Sequence, residues 1–175
     1  MKLKRYTVSQ MRSKLVLFLL VCALGSAALA STELATGSAA PLFQLKSVAG
    51  KPVNLADQLG GKATIIAFFT SWSQSCRQEL ALLQELAEVD GLRIIGVSFD
   101  RKTEELKKFL AEAKPTFPIA HDRKLTALKD YRILIIPTLF VLDAAGKISN
   151  IYVDFDENVA EAIKKEVLTT RNAEQ

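Results

Sequence analysis

The 175-residue sequence is poor in side chains that ligate metals or act as nucleophiles. It has one histidine, His121, and two cysteines, Cys22 and Cys76. One histidine with one cysteine supplies too few ligands for a closed zinc site, so we expect neither a metal nor any other cofactor. The stretch "IAHDRK" indicates that His121 is an exposed loop residue.

Excess positive charge is also missing once the first thirty residues are set aside. The formal charge of +4 includes five basic residues in that segment, namely Lys2, Lys4, Arg5, Arg12 and Lys14. Without these five, 18 of the 23 basic side chains remain against 19 acidic ones, which gives a formal charge of −1. Because nucleic-acid binding needs a basic surface, we do not expect nucleic acid as a partner.

The N-terminal segment lacks an apolar run of transmembrane length. Its run "LVLFLLVCAL" (residues 15–24) is well short of the roughly 20 residues that a spanning helix needs. The basic residues before this run and Ala28-Leu29-Ala30 after it predict a signal peptide over residues 1–30. The alternative is an uncleaved membrane anchor, and only then do we expect contact with a membrane. The protein is therefore predicted to be extracytoplasmic, and periplasmic in a Gram-negative cell.

Removal of this leader also removes Cys22 and leaves one thiol, Cys76. A single cysteine cannot form an internal disulfide in an oxidising compartment. Cys76 is therefore either buried and inert, or a reactive group that pairs with another molecule.

Strands and helices alternate along the rest of the chain. Small and polar residues over 31–40 indicate a flexible lead-in, and one domain is predicted over 41–170. The continuous apolar run at 63–69 predicts a strand that is buried on both faces, and "LRIIGVSF" (residues 92–99) predicts a second buried strand. Turn residues between "FQLKSV" and "KPVNL" predict an N-terminal hairpin, and a second hairpin is expected near the C-terminus. The pattern predicts an α/β fold with a mixed central sheet flanked by helices.

The segment "TSWSQSC" (residues 70–76) lies between the first buried strand and a helical pattern. Cys76, Leu80, Leu83 and Ala87 form one stripe at helical spacing, which predicts that Cys76 faces the core. Ser73 lies one turn earlier, where a side-chain oxygen can cap free backbone N–H groups. A strand, a turn with a cysteine and a helix are typical of thiol enzymes.

Three segments together resemble the thioredoxin superfamily. They are "GSAAPLFQLKSVAGKPVNLADQLGGK", "IIAFFTSWSQSCRQEL" and "IIPTLFVLDAAGKI", in that order. Within the superfamily, the chain is similar to the exported TlpA-like thiol–disulfide oxidoreductases and the overlapping redoxin (AhpC/TSA-type) group over roughly residues 37–168. The resemblance implies a thioredoxin fold with the N-terminal hairpin as an extension.

The resemblance also implies the site residues. The family motif is Trp-Cys-x-x-Cys, and here Ser73 takes the position of the first, attacking cysteine while Cys76 keeps the second. Glu79 matches an acid that many TlpA-like members carry three residues after the second cysteine. We therefore assign Cys76, Ser73 and Glu79 as candidate catalytic residues. Candidate substrate-binding residues are Trp72 of the motif and the segment matching the cis-proline loop, Ile136-Pro137-Thr138.

Ser73 excludes the two-cysteine reaction cycle, because a serine hydroxyl forms no disulfide. Three interpretations remain. Cys76 can act alone through mixed disulfides with protein or small-molecule thiols and disulfides. It can act as a peroxidase, since peroxiredoxins carry Thr or Ser three residues before their reactive cysteine. That interpretation also needs an activating arginine, for which Arg123 and Arg132 are available. The third interpretation is a non-catalytic module that binds proteins through Trp72 and Pro137.

Overall fold

A five-stranded mixed sheet forms the centre of the domain. The structure, a computed structural model, describes residues 34–60 and 63–173. The strands lie in the order β5-β4-β3-β6-β7. Strands β3, β4 and β5 are parallel, whereas β6 is antiparallel to β3 and to β7. These strands are β3 (Ala63–Phe69), β4 (Leu92–Ser98), β5 (Ile119–His121), β6 (Thr138–Leu142) and β7 (Ile148–Val153).

In the part of the chain that the structure describes, two further strands and four α-helices accompany this sheet. Strands β1 (Gln44–Lys46) and β2 (Pro52–Asn54) form a separate antiparallel hairpin, followed by a 3-10 helix at Leu55–Gln58. The α-helices are α1 (Gln74–Leu86), α2 (Thr103–Ala113), α3 (Thr126–Asp130) and α4 (Glu157–Ala173). The predictions of an α/β fold, of an N-terminal hairpin and of a mixed sheet closed by an antiparallel pair are confirmed.

The sheet has a hydrophobic cluster on each face, because alternate side chains of β3 point in opposite directions. Ile65, Ala67 and Phe69 pack with residues of α1, α2 and α4. Ile66 and Phe68 pack instead with the N-terminal hairpin and with α3. All seven residues of β3 are buried, as its continuous apolar run predicts.

The predicted lead-in is fixed to the final hairpin from Gly37 onward. The Gly37 amide donates to the Ile148 carbonyl at 2.7 Å, and the Ile148 amide donates to the Ser38 carbonyl at 2.9 Å. The Ala40 amide donates to Gly146 at 3.1 Å, and Ala40 is buried. Residues 37–40 are thus an ordered part of the domain, where the sequence indicates flexibility. The predicted signal peptide over residues 1–30 lies outside the described residues.

Within the part of the chain that the structure describes, no helix has both the length and the apolar composition to cross a membrane.

Candidate active site

The N-terminus of α1 is capped by Ser73, as its position predicts. Ser73 has extended backbone angles, and its hydroxyl accepts a hydrogen bond from the Cys76 amide at 3.4 Å. The Arg77 amide donates to the Ser73 carbonyl at 3.2 Å and begins the helical ladder. A serine at this position satisfies an amide that the helix itself leaves without a partner. Ser73 thus has a structural role whether or not it takes part in chemistry.

Cys76 faces the core in the first turn of α1, as its helical stripe predicts. The residue is fully buried and its sulfur is a free thiol. Burial raises the pKa of the Cys76 thiol, since a low-dielectric environment disfavours the thiolate. Polar groups of Ser73 and the Thr70 backbone oppose this increase, and the negative charge of Glu79 adds to it. The resting thiol is therefore protonated and shielded at neutral pH.

Glu79 lies one helical turn after Cys76 and is also fully buried. Both of its carboxylate oxygens have no hydrogen-bond partner among the described residues. Burial raises the pKa of Glu79 from 4.5 to about 8, because nothing compensates the charged form for the loss of water. Most Glu79 carboxyls are neutral at pH 7, so this side chain can donate or accept a proton near neutrality.

The candidate substrate-binding residues lie at the same edge of the sheet. The Ile136–Pro137 peptide bond is cis. Thr138 pairs with Phe68, so Pro137 adjoins the end of β3 where the loop to α1 begins. Thr138 is buried and its hydroxyl donates to the Ile135 carbonyl at 2.7 Å. Ile136 is half-buried and packs against both hydrophobic clusters.

This edge exposes several large apolar side chains. Trp72 is 68% exposed, Ile135 is 53% exposed and Leu134 is 95% exposed. Ile135 and Leu134 line an apolar groove of about 370 Å³ together with residues of β6 and β7. Leu134 and Ile135 are not among the candidate residues that the sequence predicts, although both directly precede the predicted substrate-binding segment.

The sequence motifs also do not predict the buried polar cluster that lies beside residues 70–76. The Asp100 carboxylate accepts hydrogen bonds from the Ser71 amide at 2.9 Å, the Ser71 hydroxyl at 2.8 Å and the Ser98 hydroxyl at 2.7 Å. Asp100 follows β4, and Ser71 follows the neighbouring parallel strand β3. The carboxyl ends of parallel strands meet at one edge of a sheet, so an acid directly after "IIGVSF" is the sequence signal for this cluster.

The expectation that His121 is an exposed loop residue is wrong. His121 ends β5, is buried, and places Nε2 at 2.8 Å from the Asp100 carbonyl oxygen. It pairs with Ser98 of β4, a contact that the short stretch around it does not reveal. Among residues 34–60 and 63–173, no cluster of three or more His, Cys, Asp or Glu side chains could hold a metal ion.

The arginines considered for a peroxidase differ in position. Arg123 and Arg132 are exposed, and Arg132 lines the apolar groove. Arg77, in the first turn of α1, stacks over the Phe109 ring at 4.9 Å from its centroid and donates from Nε to the Ser71 carbonyl at 2.9 Å. No hydrogen bond joins Arg77 to the sulfur of Cys76 among the contacts described.

Comparison with known proteins shows consistent similarities. The AhpC/TSA family matches residues 36–151. The thiol-disulfide oxidoreductase ResA of Geobacillus thermodenitrificans is 32% identical over 144 residues, which cover 78% of this chain and 82% of ResA. The thioredoxin-like protein YneN of Bacillus subtilis is 32% identical over 123 residues, covering 67% of this chain and 71% of YneN.

A solved structure extends this similarity to three dimensions. A Chlorobium tepidum protein, assigned as a thiol:disulfide interchange protein DsbE, superposes with a TM-score of 0.72 at 30% identity. The match covers 79% of this chain and 99% of that protein. The thioredoxin fold implied by the three sequence segments is confirmed.

Proposed function

The chain belongs to the AhpC/TSA family, and from this membership we propose that it is an exported thiol–disulfide redox protein that works through the single thiol of Cys76. Its relative ResA is named a thiol-disulfide oxidoreductase. The substrates that we propose are disulfides and thiols of proteins or of small molecules. The proposed cellular location is extracytoplasmic, in agreement with the leader expected over residues 1–30.

The observation that carries the proposal is the environment of Cys76. A free cysteine occupies the first turn of α1, and a buried carboxyl without a hydrogen-bond partner lies one turn away. A carboxyl in such surroundings is costly to the fold, and pKa values perturbed in this way are concentrated at functional sites. A purely structural core would gain stability from an apolar residue at position 79.

The reaction proceeds by two exchange steps. The Cys76 thiolate attacks one sulfur of a disulfide, forms a mixed disulfide with it and expels the other sulfur as a thiolate, which takes up a proton. A second thiolate then attacks the partner's sulfur in the mixed disulfide and returns Cys76 to its reduced form. The net change converts one disulfide and one thiol into a different disulfide and a different thiol, so Cys76 is not consumed.

Glu79 is suited to moving the proton of Cys76. Its carboxylate form can accept the thiol proton when attack begins, and its carboxyl form can return a proton when Cys76 leaves the mixed disulfide. With a pKa of about 8, both forms of Glu79 are populated near neutrality. Burial and, to a smaller extent, the negative charge of Glu79 raise the pKa of Cys76, so exchange is expected to be slow and to depend on pH.

The peroxidase interpretation has less support from these contacts. The Ser73 hydroxyl serves as the helix cap, and both arginines suggested by the sequence are exposed. Arg77 instead interacts with Ser71 and Phe109. A peroxidatic cysteine also requires a readily formed thiolate, whereas burial raises the pKa of Cys76.

The test is mixed-disulfide formation by the full chain carrying Cys22→Ser. Incubation with glutathione disulfide at mildly alkaline pH is expected to add one glutathione per chain at Cys76, measured by intact mass and peptide mapping. Dithiothreitol should remove the adduct, and the Cys76→Ser variant should form none. Absence of any adduct at Cys76 after prolonged alkaline incubation would contradict the proposal and favour the non-catalytic module.

Ser73→Cys is the gain-of-function control. In the Cys22→Ser background, this variant restores Trp-Cys-x-x-Cys and is expected to form an internal disulfide that dithiothreitol reduces. It should catalyse insulin reduction by dithiothreitol, whereas the parent chain and Ser73→Ala stay at the uncatalysed rate. Dithiol-type turnover by the parent chain would contradict the single-thiol mechanism.

A further inference from the structure

Ser71 is held from both sides in the loop that leads to Cys76. Its amide and hydroxyl donate to the Asp100 carboxylate at 2.9 Å and 2.8 Å. Its carbonyl accepts from Arg77 Nε at 2.9 Å. All three polar groups of this one residue are therefore fixed by two charged side chains, and hydrogen bonds to charged groups are stronger than neutral ones.

The two charged side chains are themselves immobilised. Asp100 is buried, its carboxylate also accepts from Ser98 at 2.7 Å, and its carbonyl lies 2.8 Å from His121 Nε2. The Arg77 guanidinium stacks over Phe109 of α2. Ser71 is thus tied to β4 on one side and, through Arg77, to α1 and α2 on the other.

The loop that contains Ser71 adjoins Cys76, since the Ser73 hydroxyl accepts a hydrogen bond from the Cys76 amide at 3.4 Å. The Thr70 backbone and the Ser73 side chain both interact with the thiol, and the sulfur is inaccessible to solvent. Attack on any disulfide needs the sulfur to reach a partner atom. Opening of residues 70–73, which adjoin the thiol, would give a partner access to the sulfur.

We propose that Ser71, Asp100 and Arg77 form a latch that keeps the loop of residues 70–73 closed over Cys76 and so sets the rate at which the thiol becomes accessible. The consequence for disulfide exchange rests on the proposed function, but the latch itself concerns access to the sulfur alone. Asp100 and Arg77 are positioning residues in this scheme, since they act on Cys76 through the loop.

Local opening of the loop breaks the hydrogen bonds of Ser71 while the sheet and α1 stay folded. Local openings of this kind cost less free energy than global unfolding. Trp72 of the same loop is already exposed, and it lines a cavity of about 230 Å³ together with Ser71, Arg77 and Phe109. Opening of the loop would let Trp72 move away from this cavity. A partner that binds Trp72 in the open state would shift the equilibrium towards reactive Cys76.

The test compares two serines that donate to the same carboxylate. Ser71→Ala and Ser98→Ala each remove one buried hydroxyl bonded to Asp100, at 2.8 Å and 2.7 Å, but only Ser71 lies in the loop. The rate of iodoacetamide labelling is measured against pH in the full Cys22→Ser chain, well below its unfolding temperature. Ser71→Ala is expected to raise the alkaline plateau rate about tenfold. Ser98→Ala removes one support of Asp100 but leaves both hydrogen bonds from Ser71 to Asp100 in place, and so should change the rate by no more than about twofold.

A second pair of variants tests the other side of the latch. Arg77→Ala and Lys108→Ala each remove one cation from the lining of the same cavity, but only Arg77 donates to Ser71. Arg77→Ala is expected to accelerate labelling several-fold on the plateau, while Lys108→Ala has no effect. Trp72 is the only tryptophan in the sequence, so its fluorescence anisotropy reports the loop directly and should fall in Ser71→Ala.

The outcomes separate the latch from the proposed function. Equal labelling rates in Ser71→Ala and Ser98→Ala, with unchanged Trp72 anisotropy, would overturn the latch, even if Cys76 forms mixed disulfides. Faster labelling in Ser71→Ala and Arg77→Ala, but not in Ser98→Ala or Lys108→Ala, would support the latch, even if glutathione disulfide never reacts with Cys76.

Discussion

At the scale of the residue, the buried carboxyl of Glu79 lowers the stability of the fold and at the same time can exchange a proton with Cys76. Its carboxyl is buried and without a hydrogen-bond partner among the described residues, and burial raises its pKa from 4.5 to about 8. The unfolded chain, in contrast, ionises this carboxyl at its ordinary pKa. Between pH 4.5 and about 8, Glu79 therefore ionises more readily in the unfolded chain than in the folded one, which favours unfolding. The folded state bears no such penalty below pH 4.5, and it loses stability as the pH rises from 4.5 to about 8.

The prediction concerns the nearly isosteric variant Glu79→Gln, which cannot ionise. The ionisation of Glu79 lowers the free energy of unfolding by about 1.4 kcal/mol for each pH unit above 4.5. By removing this penalty, Glu79→Gln should raise the free energy of unfolding at pH 7 by up to about 3 kcal/mol. We expect Glu79→Gln to unfold at higher denaturant concentration than the parent at pH 8 and to match it most closely at pH 4.5. Urea unfolding at both pH values measures the difference.

The control is Glu85→Gln, a carboxyl on the same helix at an exposed position. This change should leave the pH dependence of unfolding as it is in the parent. A stability difference between Glu79→Gln and the parent that stays constant with pH would contradict the raised pKa of Glu79.

At the scale of the element, the position of β5 beside β4 depends on a residue without a side chain. Gly96 of β4 pairs with Ala67 on one side and with Ile119 on the other. A Cβ atom at position 96 would overlap Cδ1 of Ile119 and would lie 3.1 Å from Cε1 of Phe69. Since β5 also carries His121, which contacts Asp100, this close packing supports the polar cluster beside Cys76.

We expect Gly96→Ala to destabilise the domain by about 1–3 kcal/mol, because the added methyl group overpacks a buried contact. Ile119→Val removes the Cδ1 atom that the new methyl group would meet. The loss of unfolding free energy in the double variant should therefore be about 1 kcal/mol smaller than the sum of the losses in the two single variants. Equilibrium unfolding of the four chains measures this coupling, and strictly additive effects would contradict the clash with Ile119.

At the scale of the whole molecule, charge divides the chain into two parts. Five basic residues and no acidic ones fall within residues 1–30, whereas the remainder has a formal charge of −1. The ordered domain begins close to the predicted cleavage site, since Gly37 and Ser38 already bond to Ile148. Cleavage before Ser31 would leave these contacts in place.

We predict that the protein recovered outside the cytoplasm begins at Ser31. The reason is the order of basic residues, a short apolar run and Ala28-Leu29-Ala30, which signal peptidases recognise. Intact mass and N-terminal sequencing of extracytoplasmic material measure the start. Replacing Ala28 and Ala30 by larger residues should retain the uncleaved chain, and recovery of full-length parent protein in the membrane fraction would instead support an anchor.

The features that follow from the sequence alone are those with a local physical cause. The apolar run of β3 and the largely apolar sequence of β4 predict both strands, since a strand covered on both faces is rich in apolar residues and lacks a polar–apolar alternation. The capping role of Ser73 and the inward direction of Cys76 follow from the geometry of a single helix. Exclusion of the two-cysteine cycle needs only the identity of Ser73.

Other features were decided by the tertiary structure because their partners are distant in the sequence. Ser71 and Asp100 are 29 residues apart, and His121 is buried only because β5 pairs with β4. Residues 37–40 look flexible by composition, but Gly146 and Ile148 of the final hairpin supply hydrogen bonds to them. Residue types and local periodicity determine which segments are strands and helices, whereas contacts between the ends of different strands determine how Ser71, in the loop before Cys76, is held.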